Sequence, residues 1–71
     1  MNKLPTLRQL QILQALAEFK NITLVAEKLF ISQPSVSIQL KNLSDLFDIS
    51  IYQVNGKVVE LTEAGKAILD G

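Results

Sequence analysis

A proline near the start of an otherwise helical stretch is the feature that most constrains what this chain can fold into. Residues 31–43 read ISQPSVSIQLKNL, and their apolar spacing is typical of a helix. Ser32 is a good N-cap for it. Pro34 then falls in the first turn, where its missing N–H would have had no partner in any case. The proline therefore marks the start of a helix and does not break it.

The two sides of this third helix differ in character. One stripe is apolar at spacings of 4, 3 and 4, which predicts a core-facing side: Val36, Leu40, Leu43 and Phe47. At about 100° per residue, a second set points away from the core: Pro34, Ile38, Lys41 and Asp45. Ser35, Ser37 and Asn42 flank this second set, and no acid precedes Asp45 in the helix. Ile38 is the exception there, because a large apolar residue lies on a side that should face water.

Two further helices precede this one. Thr6 and Gln9 have the spacing of a capping box, which predicts helix 1 from roughly Thr6 to Lys20. Its apolar residues predict a broad buried surface made of two rows: Leu7, Leu10, Leu13 and Ala17, and Ile12, Leu16 and Phe19. Asn21 is a good N-cap for a short helix 2 that ends near Phe30. We expect the core stripe of helix 3 to be buried against four residues: Leu10, Leu13, Ala26 and Leu29.

The pattern changes after Asp48. The segments ISIYQV and KVVEL are rich in β-branched residues and alternate in polarity. Asn55-Gly56 joins them and is the strongest short hairpin signal available. Thr62 can then cap a fourth helix, EAGKAILDG. The order α-α-α-β-β-α predicts a mainly α fold with a small β-hairpin.

Composition limits the class of protein. The 71 residues allow one small domain, and the 48% hydrophobic fraction is enough for a packed core. The absence of cysteine excludes disulfides and thiolate metal sites and fits a reducing cytoplasm. The sequence contains no 18-residue apolar run, and its N-terminus does not resemble a secretory signal. We therefore expect a soluble, unprocessed cytoplasmic protein that does not contact a membrane.

Charge is less informative. Seven basic and seven acidic residues cancel, whereas nucleic-acid binders are usually clearly basic. Residues 1–17 and residues 28–44 nevertheless carry lysine or arginine and no acid. A mildly positive face can therefore exist on a neutral molecule, although such sparse charges more often belong to an ordinary solvated surface.

The sequence gives little support to catalysis. Histidine and cysteine, the commonest general base and the thiol nucleophile, are absent. The three glycines form no phosphate-binding loop, so Lys66 does not belong to a P-loop. Asp45 and Asp48 lie one helical turn apart and could form an acid pair or a weak metal site, but surface or helix-end residues are the more frequent explanation. We expect no enzyme activity, no cofactor and no metal site.

Two short helices joined by a tight turn and followed by a hairpin are typical of a helix-turn-helix. In that motif the second helix enters the major groove of DNA, and its N-terminal residues meet base edges. Short uncharged side chains allow close approach, and Gln33 and Ser35 can bond to bases or phosphates. On these residues alone, ordinary cap chemistry for Ser32, Gln33 and Pro34 explains the stretch equally well.

The chain from Thr6 to Leu69 resembles the N-terminal winged helix-turn-helix of LysR-type transcriptional regulators. The matching segments are TLRQL, AEKLFISQPSVSIQLKNLSDLF and LTEAGKAIL, and the resemblance covers about nine-tenths of the chain. It implies one winged helix-turn-helix domain, divided as follows: the domain over residues 1–71, the helix-turn-helix over about 22–42, the wing over about 51–61 and the start of a linker helix over about 63–71.

The resemblance also implies partners. The family is homodimeric through a long linker helix, and an effector-binding domain of the periplasmic-binding-protein type follows that helix. Any small-molecule effector would therefore bind a domain that residues 1–71 do not include. We expect the chain to be an excised DNA-binding domain or a stand-alone relative, monomeric or weakly dimeric by itself, with double-stranded DNA as its partner.

Site residues follow from the resemblance position by position. Gln33, Pro34 and Ser35 match the base-reading start of the recognition helix, Ser37 matches a phosphate-contacting serine, and Thr23 matches a residue that touches the DNA backbone. Three further residues complete the expected DNA-binding set: Ile38 against a thymine methyl group, Lys41 on a phosphate and Lys57 at the tip of the wing.

Several positions depart from the family pattern. Ile38, Leu24 and Val54 stand where arginine is frequent, and Glu60 takes a place that is often basic. Each missing arginine removes a possible phosphate or guanine contact. An alternative function therefore stays open, in which the winged helix is a protein-interaction or dimerisation module with weak or lost DNA binding.

Overall fold

Six short elements follow one another in the predicted order α-α-α-β-β-α. The computed structural model describes residues 4–70. It contains α1 (Leu7–Phe19), α2 (Ile22–Leu29), α3 (Gln33–Phe47), β1 (Tyr52–Asn55), β2 (Val58–Leu61) and α4 (Glu63–Asp70). The two strands form one antiparallel hairpin, with Tyr52 opposite Leu61 and Asn55 opposite Val58. The mainly α winged-helix class predicted from the sequence is confirmed.

Local side-chain chemistry explains where the helices begin. The Thr6 hydroxyl accepts a hydrogen bond from the Gln9 N–H at 3.1 Å, and the Gln9 side chain accepts one from the Thr6 N–H at 2.9 Å. Asn21 caps α2 by accepting from the Leu24 N–H at 3.0 Å. Ser32 caps α3 from just before Pro34, as predicted. All of these bonds supply partners to N–H groups that a helix start otherwise leaves unpaired.

The first three helices end in the same way. Lys20, Phe30 and Asp48 adopt left-handed backbone conformations with φ of 54°, 58° and 55°, a region that non-glycine residues seldom occupy. Each of these residues donates its N–H to a carbonyl of the preceding turn, which closes the helix. The chain can therefore change direction within two to four residues.

The hydrophobic core lies where α1, α2 and α3 meet the base of the hairpin. Its buried residues come from α1, α2, α3 and β2, together with Ile51 before the hairpin: Ile12, Leu13, Ala15, Leu16, Val25, Ala26, Val36, Leu40, Leu43, Ile51, Val59 and Leu61. The predicted stripe of α3 is confirmed for Val36, Leu40 and Leu43, which are fully buried. Phe47 and Leu29 pack against the core but are only partly buried, and Leu10 is also only partly buried, so the predicted burial is incomplete for these three.

The buried side of α1 also differs from the prediction. Leu7 is 73% exposed and Ala17 is exposed, whereas Gln9 is buried at 9% exposure. At about 100° per residue, the buried residues centre on the side that carries Gln9, and Leu7 lies nearly opposite. The second predicted row is confirmed, because Ile12 and Leu16 are fully buried and Phe19 packs on the core. The first row was wrong for Leu7 and Ala17, and a count of apolar residues alone left out Gln9.

The hairpin is shorter than the sequence indicated. Its turn consists of Gly56 and Lys57, one residue later than the expected Asn55-Gly56 pair, because Asn55 still pairs with Val58. Gly56 has φ +63°, and Lys57 does not share the left-handed conformation, which matches a turn with glycine at its first central position. The hairpin still begins and ends within the predicted wing.

The start of the predicted first strand has another role. Ile49 and Ser50 lie outside β1, although the segment ISIYQV includes them. The Ile49 N–H bonds to the Ser44 carbonyl at 3.2 Å and so completes the end of α3. The Ser50 carbonyl accepts a 2.8 Å bond from the Thr62 hydroxyl. Both residues therefore serve as connections, since their backbone groups are already bonded outside the hairpin.

The Thr62 hydroxyl also accepts the Gly65 N–H at 3.3 Å, which caps α4 as predicted. No helix within residues 4–70 is long and apolar enough to cross a membrane.

Candidate nucleic-acid interface

A three-residue turn joins α2 to α3 and fixes the angle between them. Phe30 ends α2 in its left-handed conformation, and the Ile31 N–H reaches back to the Ala26 carbonyl at 3.0 Å. Ser32 then begins α3. The buried residues Val25 and Ala26 of α2 belong to the same core as the buried stripe of α3, so the two helices are held as one unit. This arrangement is a helix-turn-helix, with α3 as its second helix.

The first turn of α3 leaves a hydroxyl available for a partner. The Ser32 hydroxyl accepts the Ser35 N–H at 3.2 Å and donates to the Ser35 hydroxyl oxygen at 2.8 Å. A serine hydroxyl has one hydrogen to donate. Because the Ser35 oxygen already accepts from Ser32, its own hydrogen is free to point outward. Cap chemistry and partner binding are therefore compatible in the same residues.

The outer side of α3 is exposed along its length. Ile38 is 56% exposed, and Pro34 and Lys41 are exposed on the same side. The Lys41 amine lies 3.3 Å from a carboxylate oxygen of Asp45, and both side chains are largely exposed. An ion pair in such a position contributes little to stability, so Lys41 can exchange it for another anion. The side offers short polar groups, one aliphatic side chain and one cation.

All eight residues of the expected DNA-binding set are exposed: Thr23, Gln33, Pro34, Ser35, Ser37, Ile38, Lys41 and Lys57. Five of them lie between the first turn of α3 and Ile38, Lys41 follows on the next turn, and Thr23 is in the first turn of α2. Lys57 occupies the tip of the hairpin, which is a separate part of the surface. Six of the eight residues therefore lie on α3, and the other two lie on α2 and at the hairpin tip.

Asp45 and Asp48 occupy an exposed position on α3 and the end of that helix. Asp45 pairs with Lys41, and Asp48 is the residue that ends α3. Within residues 4–70, no three acidic side chains are placed to hold a metal ion. These positions agree with the prediction that Asp45 and Asp48 are surface and helix-end residues.

Sequence reasoning missed one polar link behind the outer side of α3. The Gln9 side-chain nitrogen donates to the Gln39 side-chain oxygen at 3.2 Å, which joins the start of α1 to the middle of α3. A signal for burial was present, because Ile12, Leu13 and Leu16 follow Gln9 at spacings of three, four and seven. The identity of its partner, thirty positions away, depends on how α1 and α3 pack.

The chain is similar to bacterial regulators over most of its length. Residues 7–66 match the family described as bacterial regulatory helix-turn-helix protein, lysR family. A probable RuBisCO transcriptional regulator of Trieres chinensis is 48% identical over 65 residues, which are 92% of this chain and 21% of that relative. The chain therefore spans about a fifth of the length of this curated relative.

Solved structures share both the fold and part of the sequence. Oxidized OxyR of Corynebacterium glutamicum superposes with a TM-score of 0.85 at 36% identity, over 93% of this chain and 21% of that one. The DNA-binding domain of CbnR, solved in complex with DNA, gives a TM-score of 0.82 at 31% identity, over 99% of this chain and 76% of that one. The resemblance found in the sequence is confirmed, and the chain belongs to the lysR family of bacterial regulatory helix-turn-helix proteins.

Proposed function

We propose that this chain is the sequence-specific, double-stranded-DNA-binding domain of a LysR-type transcription regulator, and that α3 enters the major groove. The observation that carries the proposal is the likeness to the CbnR domain solved on DNA, which extends over 99% of this chain. The exposed outer side of α3 supports it, because its polar groups take no part in the hydrophobic core and can meet a partner. Major-groove binding by the second helix is the usual use of this motif.

Each exposed residue then has a stated role. Gln33, Pro34 and Ser35 lie near base edges, because the N-terminal end of a recognition helix enters the groove most deeply. Ile38 has no hydrogen bond to offer and packs against a thymine methyl group, which only the major groove exposes. The remaining contacts are to the DNA backbone: Thr23, Ser37, Lys41 and Lys57. The first group sets sequence preference, and the second sets affinity.

The whole regulator extends this proposal. We infer one domain over residues 1–71, in which α4 is the start of a linker helix that pairs two copies. An effector would bind in a further part of a longer regulator, because the chain spans about a fifth of the curated relative described above. The proposal requires no catalysis and no cofactor, and it sets the protein in the bacterial cytoplasm together with the chromosome.

A second function stays in competition for a specific reason. The net charge is zero, and exposed aliphatic side chains stand at Leu24, Ile38 and Val54, where a DNA-binding surface would benefit from cations. The same surface could bind another protein and retain only weak DNA affinity. Three exposed aliphatic residues on separate elements would then be the centre of that interface.

A titration separates the two functions. The chain is added to mixed-sequence duplex DNA at roughly 50 mM and then at roughly 150 mM salt, because phosphate contacts are strongest at low salt. The DNA-binding function predicts binding at the lower salt that weakens as salt rises. Absence of binding at the lower salt would reject that function and favour the protein-interaction module.

A further inference from the structure

The hydrogen bonds of Gln9 determine which side of its amide faces which partner. Its side-chain oxygen accepts the Thr6 N–H at 2.9 Å, and an N–H requires an acceptor. The side-chain nitrogen must therefore lie on the other side, where Gln39 is 3.2 Å away. A glutamine NH₂ only donates, so Gln39 has to present its oxygen there. The orientation of the second amide thus follows from the first.

The consequence is that Gln39 has unpaired donors to offer a partner. Its oxygen accepts from Gln9 with one of its two lone pairs, and within residues 4–70 its NH₂ group donates to no protein atom. Because the side chain is half-buried, a donor left without an acceptor there costs free energy. The partner that the NH₂ group requires is therefore an acceptor.

The position of Gln39 on α3 indicates which acceptor. At about 100° per residue, Gln39 lies roughly 100° round the helix from Ile38 and roughly 60° from buried Val36, on the flank that borders the core stripe. A helix about 10–12 Å across nearly fills a major groove about 12 Å wide. The flank of such a helix faces the groove wall, which is the sugar-phosphate backbone. Phosphate oxygens are acceptors only.

We propose that Gln39 donates a hydrogen bond to a DNA phosphate and that Gln9 is the positioning residue that holds its amide in the donating orientation. The inference rests on the proposed DNA-binding function and adds a link through which α1 acts on α3. The amides form a chain from the Thr6 N–H to Gln9, from Gln9 to Gln39 and from Gln39 to the phosphate, and each bond polarises the next.

The first test replaces the donor and keeps the internal bond. In Gln39→Glu the side chain still accepts from Gln9, so the melting temperature should stay unchanged, while the outward donor becomes an acceptor. DNA affinity should fall roughly tenfold on the best site and on scrambled DNA alike, as for a lost bond to a charged group. Gln14→Glu is the charge control, because Gln14 is exposed in the groove between α1 and α2. It should change affinity less than twofold or so.

The second test changes only the positioning residue. Gln9→Glu keeps the acceptor for the Thr6 N–H and suits a capping box, so the protein should remain folded. Because the new side chain only accepts, Gln39 must turn its NH₂ inward and its oxygen toward the phosphate. Affinity should again fall roughly tenfold. In a Gln39→Ala background the same change should cost no more affinity than Gln14→Glu does.

The outcomes are distinguishable. If the unaltered chain does not bind DNA at roughly 50 mM salt, the proposed function fails and this inference fails with it. If the chain binds and Gln39→Glu behaves like Gln14→Glu, only this inference is overturned. A loss confined to the best site would mean that Gln39 contacts a base edge and not a phosphate. If Gln9→Glu lowers DNA affinity as much in the Gln39→Ala background as it does alone, Gln9 does not act through Gln39 and its role is structural.

Discussion

The recognition helix and the hairpin are held in the molecule in different ways. α3 packs through Val36, Leu40 and Leu43, which are buried along three turns, so the core supports most of its length. The hairpin is supported at one end only. Val59 and Leu61 of β2 are buried and the Val59 N–H bonds to the Lys20 carbonyl at 3.0 Å, but three of the four residues of β1 are exposed.

This difference gives the two regions different degrees of freedom: α3 has a fixed orientation, whereas the hairpin tip can move. A helix fixed by buried side chains presents its outer side with little freedom, which suits contacts whose geometry must match a base edge. A hairpin fixed at its base leaves the tip, with Lys57, free to adjust to a backbone phosphate. We infer that sequence preference resides in α3 and that the wing contributes affinity.

The largest expected effect is on the packing of α3. Leu40→Ala removes a side chain that is fully buried, and such changes cost roughly 2–5 kcal/mol of unfolding free energy. That is a large part of the stability of a small domain. Thermal and urea unfolding measure it. Ile38→Ala, on the exposed side of the same helix, is the control and should change stability by less than about 0.5 kcal/mol. An unchanged melting temperature for Leu40→Ala would show that the core side of α3 has been misidentified.

The next effect concerns the base of the hairpin. Gly65 in α4 lies so close to Ile51 that an added Cβ would collide with the Ile51 carbonyl oxygen and lie 3.2 Å from its carbonyl carbon. That oxygen also accepts the Thr62 N–H at 3.0 Å. Gly65→Ala should therefore destabilise the protein by roughly 1–3 kcal/mol, in spite of alanine's better helix propensity. Lys66→Ala, exposed and next in the helix, is the control in the same unfolding experiment. Equal melting temperatures for the two variants would rule out close packing of α4 on the hairpin base.

The sequence predicted features that depend on a few neighbouring residues. The caps formed by Thr6, Asn21 and Ser32 follow from side chains that bond to the backbone three positions away. The stripe of α3 follows from the helical period alone. The family resemblance supplied five of the eight DNA-binding residues, and the chemistry of Ile38, Lys41 and Lys57 supplied the others. The exposure of all eight agrees with that use, whereas their contacts with DNA remain predictions.

Features that depend on packing between elements were not predictable in the same way. The rotation of α1 about its axis decides that Gln9 is buried and Leu7 is exposed. The spacing of Gln9 to Ile12, Leu13 and Leu16 indicated this burial, but a count of apolar residues alone left the glutamine out. The Gln9–Gln39 bond spans thirty positions and requires that rotation. The hairpin turn lies one residue later than the Asn-Gly signal because the register with β2 lets Asn55 remain in the strand.

A smaller effect separates the two kinds of contact on α3. Ile38→Ala should weaken binding to the best DNA site by roughly 1–3 kcal/mol and spare scrambled DNA, because the thymine methyl contact depends on sequence. Lys41→Ala should weaken both DNAs alike and flatten the salt dependence. Fluorescence titrations on both DNAs measure the difference. Equal losses for Ile38→Ala on the two DNAs would instead make Ile38 a packing or protein contact.

The smallest effect tests the ion pair on the outer side of α3. Asp45 holds the Lys41 amine at 3.3 Å and adds a negative charge to the side that we propose faces DNA. Asp45→Asn removes that charge and frees the amine for a phosphate. Exposed pairs of this kind are worth roughly 0.2–1 kcal/mol, so affinity should rise severalfold at most.

The gain should shrink at higher salt, because screening weakens interactions between exposed charges. Glu18→Gln is the matched control, since it removes an exposed carboxylate from α1 at the groove between α1 and α2. It should raise affinity less than Asp45→Asn does. In a Lys41→Ala background, the Asp45→Asn gain should fall to the part due to charge alone. If Asp45→Asn lowered affinity for one DNA sequence, Asp45 would itself be accepting a hydrogen bond from a cytosine amino group, and base readout would extend a further turn along α3.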